Sequence, residues 1–567
     1  MNLTRHISNR SWAAVLLFVA IFSAAGEAQH SSIPRFEVML PSTYKLPLTG
    51  RVFVLIARSE SPEPRLQAGS WRGRAEFLGA DVQQLQPGQK VSLDSSTLGF
   101  PLKNVRELPA GDYYVQALLN VYTKFDRADG HTIWAHMDQW EGQQFNRSPG
   151  NLYSEVQHVH LDPLSGYDVR LSLTQTIPPV QTPADTQYVK HIKIQSELLT
   201  KFWGRPIYLG ATVLLPEGYD AHPNAHYPAI YEQGHFGLQP PFRFQTEQPR
   251  ESPEQEQRLR RAGLISGHEF YKAWISPGFP RMIAVTFQHP TVYFDDSYAV
   301  NSANNGPYGD AILTELIPYI EEHFRIIHAP YARVLSGGST GGWESLALQL
   351  YHPEFFGGTW TFYPDPVDFN RYQLVDIYND NNAFLTPGYE QPVPERPMER
   401  TDEGQVDVTV RQMSQLEEVL GSHGRSGQQY EAWEAVYGPV GRDGYPRPLW
   451  DKLTGKIDKE VASYMREQGY DLRYYLEQNW TKIGPQLVGK IHVFCGDMDN
   501  YYLNLAVYKL EDFLKHTNNP AYGGSFEYGR PMKGHGWTPL NQAELVRTMA
   551  EHISKNAPAA GDNSWKY

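Results

Sequence analysis

The chain has 567 residues, 41% of them apolar and 20% charged, with 50 Lys and Arg against 63 Asp and Glu for a formal charge of -13. That length exceeds one ordinary core, so two or more domains are expected. No segment gathers enough basic residues for a phosphate-binding stripe, which argues against nucleic acid as a partner.

The first residues read as a targeting segment. Arg5 and Arg10 precede an apolar run from Trp12 to Ala25, followed by small residues through Ala28. A signal peptide over 1–28, and hence a secreted or periplasmic protein, is the expectation, with a retained N-terminal anchor as the alternative. The run is short for a bilayer and no later window supplies about 18 apolar residues in a row, so no membrane span is predicted. Export permits disulfides, yet Cys495 is the only cysteine. In the apolar run "IHVFCG" it reads as a buried, inert thiol.

From 30 to 175 the chain gives short alternating runs broken by Gly, Pro and Asp: "GRVFVLIAR" at 50–58, "GDYYVQALLNVY" at 111–122, "EVQHVHL" at 155–161 and "YDVRLSL" at 167–173. Period-two alternation without a long amphipathic helix predicts an N-terminal β-sandwich domain. His158 and His160 would put both rings on one side of a strand, as metal ligands do. No third or fourth ligand is evident nearby, and exposed strand histidines are the plainer reading. Trp134, Trp140 and Tyr153 offer either a sugar-stacking platform or ordinary packing. The segment 176–187, with Pro178, Pro179 and Pro183, reads as a stiff linker.

Beyond the linker, strands alternate with helices, the mark of a mostly parallel, doubly wound sheet. Strands are predicted in "IYLGATVLLP" (207–216), "YPAIYEQG" (227–234), "MIAVTF" (282–287) and "ARVLS" (332–336). Ile312, Leu316, Ile320 and Phe324 recur every four residues and mark one face of a helix. From 391 to 487 the sequence turns polar, with helices near 408–420, 426–436, 456–468 and 470–480. This is a helical insertion, a candidate cap, within a catalytic domain of 188–556. Strand character resumes at "KIHVFCG" (490–496), and 557–567 reads as a flexible tail.

Within "VLSGGSTGGWES", Gly337-Gly338-Ser339-Thr340-Gly341 fits G-x-S-x-G. There a serine sits on a sharp strand-to-helix turn with its hydroxyl exposed, and small residues let strand and helix approach. A serine hydroxyl needs a base to take its proton, and the base needs an acid to hold its tautomer. "GDMDNYY" offers Asp497 and Asp499 after a late strand, Asp499 being preferred because its side chain returns over the sheet edge. "MKGHGWTP" offers His535 between two glycines. His516 and His552 fall in helical patterns and are set aside. Asp365 and Asp368 in "FYPDPVDF" are alternative acids, or turn caps. An oxyanion needs two N–H donors. Thr340 supplies one, and the second follows "YPAIYEQG" at His235 or Phe236, His235 preferred with its side chain in a structural role. Trp343 and Trp537 flank the nucleophile and base and either wall a pocket or pack.

The pieces "VLLPEGYD", "YPAIYEQGHFG", "PRMIAVTF", "ELIPYIEEHFR", "SGGSTGGWES", "GDMDNYYLN" and "GHGWTP", spread over about 190–545, resemble the esterase D type of α/β hydrolase. That family includes feruloyl esterases, enterochelin esterases and mycolyltransferases. The resemblance implies an α/β hydrolase fold, serine esterase activity, and Ser339, Asp499 and His535 as a triad. The insertion at 391–487 is long for the family, which bears on substrate preference. The substrate class is a small-molecule or polysaccharide-linked ester, with no cofactor or metal required. Acyl transfer, peptide cleavage and a non-catalytic binding role are the competing functions.

Overall fold

The computed structural model describes residues 34–142, 144–248, 252–293, 296–386, 388 and 393–567, so the signal segment expected at 1–28 lies outside the described residues. Near the N-terminus, Arg35–Met39 pairs with Asp168–Ser172 and Lys90–Asp94 in a three-stranded sheet. A seven-stranded sheet centres on Leu48–Ala57 and Gly111–Val121. The two sheets share a core of Phe36, Val38, Leu93 and Leu171 from the first with Val52, Val54 and Leu119 from the second. Successive side chains of a strand point to opposite faces. Phe53, Leu55 and Ala57 therefore point the other way, into a core shared with Met413, Leu416 and Val419. Both faces of this strand are covered, which is why its sequence is a continuous apolar run.

The large sheet has eight strands: β1 (Val189–Ser196), β2 (Ile207–Leu214), β3 (Ala229–Gln233), β4 (Ile283–Gln288), β5 (Arg333–Gly338), β6 (Gly358–Phe362), β7 (Ile491–Gly496) and β8 (Ser525–Gly529). Their spatial order is 1-2-4-3-5-6-7-8, with β2 antiparallel to both neighbours and the rest parallel. This is the strand order and direction of an α/β hydrolase sheet. Helix α1 (Thr340–Tyr351) leaves β5 directly. The predicted face of Ile312, Leu316 and Ile320 is fully buried, and the helix that carries it passes through a π turn at Ile312–Leu316.

Between β6 and β7 lie α2 (Val410–Leu420), α3 (Gln429–Tyr437), α4 (Lys459–Glu467) and α5 (Leu472–Leu487). Helix α5 runs beyond the predicted end at 480 and contains Pro485. Its buried stripe of Leu476, Trp480, Ile483 and Leu487 continues past that proline, so packing carries the last turn. Arg51 of the N-terminal sheet donates to the carbonyls of Glu418 and Val419, both at 2.9 Å, and ties that sheet to α2.

One expectation is corrected. Residues 557–567 are not a frayed tail: Trp565 is buried in the sheet's core, and the Tyr567 ring stacks on His222 at 3.5 Å. Ser564 accepts the His226 N–H at 2.9 Å. Two large aromatic rings near the end supply the contact area that holds it down. The linker region also contributes a two-residue edge strand, Gln175–Thr176, against Leu152–Tyr153. Among the described residues no helix is long and apolar enough to cross a membrane.

Candidate active site

The sequence-predicted residues gather at the carboxyl ends of β3, β5, β6, β7 and the turn after β8, where open α/β sheets bind ligands. Ser339 follows β5 with φ 58° and ψ -121°. A non-glycine residue in so sparsely populated a region costs about 1–3 kcal/mol and persists only where its surroundings enforce it. The four glycines show how. A Cβ at Gly337 would run into the carbonyl of Gly341, and one at Gly341 into the carbonyl of Gln233 at the end of β3. A Cβ at Gly338 would strike the Tyr363 ring, and one at Gly342 the carbonyl of Phe362. Backbone crowds the turn at three of these glycines and the Tyr363 ring at the fourth.

Asp499 is fully buried after β7 and accepts the N–H groups of Tyr501 at 2.9 Å and Leu503 at 3.2 Å. Its other oxygen meets His535 Nδ1 at 2.8 Å. His535 is further held by its own N–H on Asn500 Oδ1 at 2.7 Å, and its ring sits between Tyr363 and Tyr501, centroids 4.7 and 4.9 Å away. Asp497 instead accepts the N–H of Lys533. His516 and His552 bond to backbone carbonyls within or beside their helices.

The Ser339 hydroxyl donates to Asp365 Oδ1 at 3.5 Å and makes no hydrogen bond to His535. Thr340, at the start of α1, donates its hydroxyl to Asp365 Oδ2 at 3.1 Å and lies 3.2 Å from His235 Nε2. The N–H of Phe236, the alternative second donor, is taken by Asp296 at 2.7 Å. Burial pushes the Asp365 carboxyl above the usual carboxylate range. Tyr298, Gln429 and Trp433 complete its surroundings and had no local signal in the sequence. Asp368 caps a turn and pairs with Arg473.

A cavity of about 610 Å³ opens beside His535, Tyr363 and Tyr501. Arg243, Arg258 and Arg261 line it, and Asp402, Glu403 and Asp407 come to it from the hairpin of Pro397–Arg400 and Val406–Thr409. Trp343 is not part of it: fully buried, it packs on Tyr298 and Tyr437. Cys495 is buried, which pushes its thiol well above the ordinary range.

His158 stacks on Tyr114 and His160 pairs with Asp112, so the two act as surface residues. Trp140 is buried against Phe236. Among the described residues, His136, Asp138 and Glu141 offer three ligand atoms within 4.8 Å of one another. Glu141 is already engaged by His136 Nε2 at 2.5 Å, and Asp138 by the N–H groups of Trp140 and Gly142.

Residues 208–366, from β2 through the nucleophile turn, match a family model described as Esterase, putative esterase. Solved structures similar to the chain include a ferulic acid esterase, 14% identical, covering 65% of this chain and 96% of that one with a TM-score of 0.34. An S-formylglutathione hydrolase from Agrobacterium tumefaciens is 13% identical over 65% and 96%, with a TM-score of 0.31. A ferulic acid esterase from Anaeromyces mucronatus is 12% identical over 68% and 94%, with a TM-score of 0.27. No curated protein matches the sequence. The family match over 208–366 thus spans the glycine-rich turn at Ser339, within an eight-stranded sheet that has the strand order of an α/β hydrolase.

Proposed function

We propose that the protein is a carboxylic ester hydrolase that works through an acyl-enzyme, with Ser339 as nucleophile, His535 as proton carrier and Asp499 as the group that orients His535. The observation that carries this reading is the 2.8 Å contact of His535 Nδ1 with a fully buried Asp499 beside the strained serine turn. With Nδ1 engaged, Nε2 is the nitrogen left for the serine proton. Ser339 Oγ turns from Asp365 toward Nε2 and attacks the carbonyl carbon as its proton passes to the imidazole. The N–H groups of Thr340 and His235 hold the resulting oxyanion. Collapse expels the alcohol, which takes the proton from His535. Water then repeats the sequence and releases the acid.

In this reading the N-terminal sheets at 30–175 form a sandwich domain joined by the linker 176–187 to the catalytic domain 188–556. The helices between β6 and β7 are an insertion at about 391–487. The apolar segment at 1–28 directs export, and the substrate is a small-molecule or polysaccharide-linked ester.

The test is intact mass after treatment with a fluorophosphonate probe, with the modified peptide located. One adduct on the peptide holding Ser339, absent in Ser339→Ala, is expected. A folded wild-type protein that stays unlabelled would overturn the reading in favour of a non-catalytic binding protein.

A further inference from the structure

The second carboxylate at the nucleophile is the least explained group in the site. Asp365 is 3% exposed. His535 Nδ1 is already bound to Asp499, so Asp365 is not needed to orient the base. Among the described residues no Lys or Arg pairs with it. Burying an uncompensated carboxylate is costly, and hydrogen-bond donors are the remaining way to offset that cost. Asp365 Oδ2 accepts from Tyr298 Oη at 2.8 Å and Thr340 Oγ1 at 3.1 Å, and shares two further donors with Tyr298 Oη: Trp433 Nε1, 3.1 Å from Oδ2 and 2.8 Å from Oη, and Gln429 Nε2, 3.4 and 2.6 Å away.

Those donors come from three separate parts of the chain. Gln429 and Trp433 lie on α3, between β6 and β7, and Tyr298 on the loop after β4. Thr340 belongs to the nucleophile turn itself. The link to that turn is doubled, because the Asp365 backbone N–H donates to the Ser339 carbonyl at 3.1 Å and Oδ1 faces the Ser339 hydroxyl. Thus one residue grips the Ser339–Thr340 peptide, by its backbone N–H at the carbonyl and by its carboxylate at the two hydroxyls. The amide N–H of that peptide is the donor assigned to the oxyanion.

We propose that Asp365 is a positioning residue through which helix α3 fixes the Ser339–Thr340 peptide, and with it the aim of the oxyanion donor. This rests on Ser339 being the nucleophile. The 391–487 segment then has a catalytic consequence without touching substrate: α3 holds Asp365, Asp365 holds Thr340, and Thr340 Oγ1 reaches His235, the other proposed donor. A donor set about 1 Å out of place forfeits transition-state binding while leaving substrate binding intact.

The experiment compares Asp365→Asn, Trp433→Phe and the double variant with wild type on a neutral chromogenic ester. Asparagine removes the charge that these donors surround and leaves a single acceptor oxygen, with its NH2 in place of the oxygen that accepts from Ser339, and Trp433→Phe removes one donor with an aromatic side chain kept. Asp365→Asn is expected to lower kcat about 10–100-fold with KM within about twofold, the range for a misaligned oxyanion donor. A boronic acid that forms a tetrahedral adduct on serine should bind more weakly by the same factor. Trp433→Phe should show the same pattern, smaller, and the double variant should be no worse than Asp365→Asn alone, because both act through one contact. A folded Asp365→Asn with wild-type kcat, a loss confined to KM, an unchanged boronic acid affinity or fully additive losses would each overturn the proposal. If Asp365→Asn does not fold, the Trp433→Phe kinetics and boronic acid affinity decide on the same criteria. Failure of the underlying reading would show separately, as Ser339→Ala retaining activity, and would remove this proposal with it.

Discussion

The two sides of Ser339 are built on opposite plans. On the side of His535 the carboxylate, Asp499, is held by N–H groups of its own turn, and the imidazole borders an open cavity. On the side of Asp365 the carboxylate is held by side chains from distant segments and is closed off from solvent. The first arrangement suits a group that must exchange protons with a substrate and with water. The second suits a group that must stay still. On the proposed reading, local turn geometry supplies the chemistry and long-range packing supplies the aim.

That contrast can be broken at several points. Ser339 belongs to both sides, so Ser339→Ala should lower kcat on an activated ester about 10³-fold or more, measured in steady state against wild type. Asp499→Asn should come next, at about 10²–10⁴-fold in kcat, because the imidazole loses the partner that fixes its tautomer. If that loss proves smaller than the loss from Asp365→Asn, the assignment of the two carboxylates is reversed. Smaller again is an effect of charge at the open side. Arg243, Arg258 and Arg261 make no ion pair among the described residues, so an ester with a negative group should show kcat/KM roughly 3–10-fold above a neutral analogue at low salt. Equal rates, or a preference for a cationic ester, would show that the acidic hairpin dominates the cavity.

The smallest effect concerns stability on the closed side. Behind α3, Lys452 lies among Glu417, Glu431 and Glu434, all buried. Burial outweighs the attraction of Lys452 and pushes Glu431 up to about 8 and Glu434 up to about 7. In the unfolded chain such carboxyls titrate at about 4.3, so the folded state binds more protons between these values. The stability they contribute is full below about pH 4 and is lost as pH rises through 7 to 8. Glu431→Gln, which mimics the protonated form, should melt a few degrees above wild type at pH 8, with the gap closing toward pH 5 in scanning calorimetry. A gap independent of pH would mean that Glu431 does not titrate in this range.

The same contrast governs what the sequence discloses. Asp499 and His535 are legible because each follows a strand through a short glycine-marked turn, so strand periodicity and turn chemistry locate them. The strands of the large sheet and the stripe of Ile312, Leu316 and Ile320 are legible for the same local reason. Tyr298, Gln429 and Trp433 meet Asp365 only after three distant stretches have packed, and nothing within ten residues of any of them announces it. The docking of Trp565 and Tyr567 escaped for a related cause: a proline-, alanine- and glycine-bearing end looks loose until a groove on the sheet is known to receive its rings.

The glycine turn has a bearing on how tolerance to mutation should be interpreted. Gly337, Gly338, Gly341 and Gly342 donate no atom to catalysis, yet each stands where a single methyl would strike main chain or a ring. In a saturation library selected for turnover, these four silent positions should be depleted about as strictly as the serine they enclose. Intolerance there would report crowding rather than chemistry, and a map of sensitive sites would draw the reactive centre wider than it is.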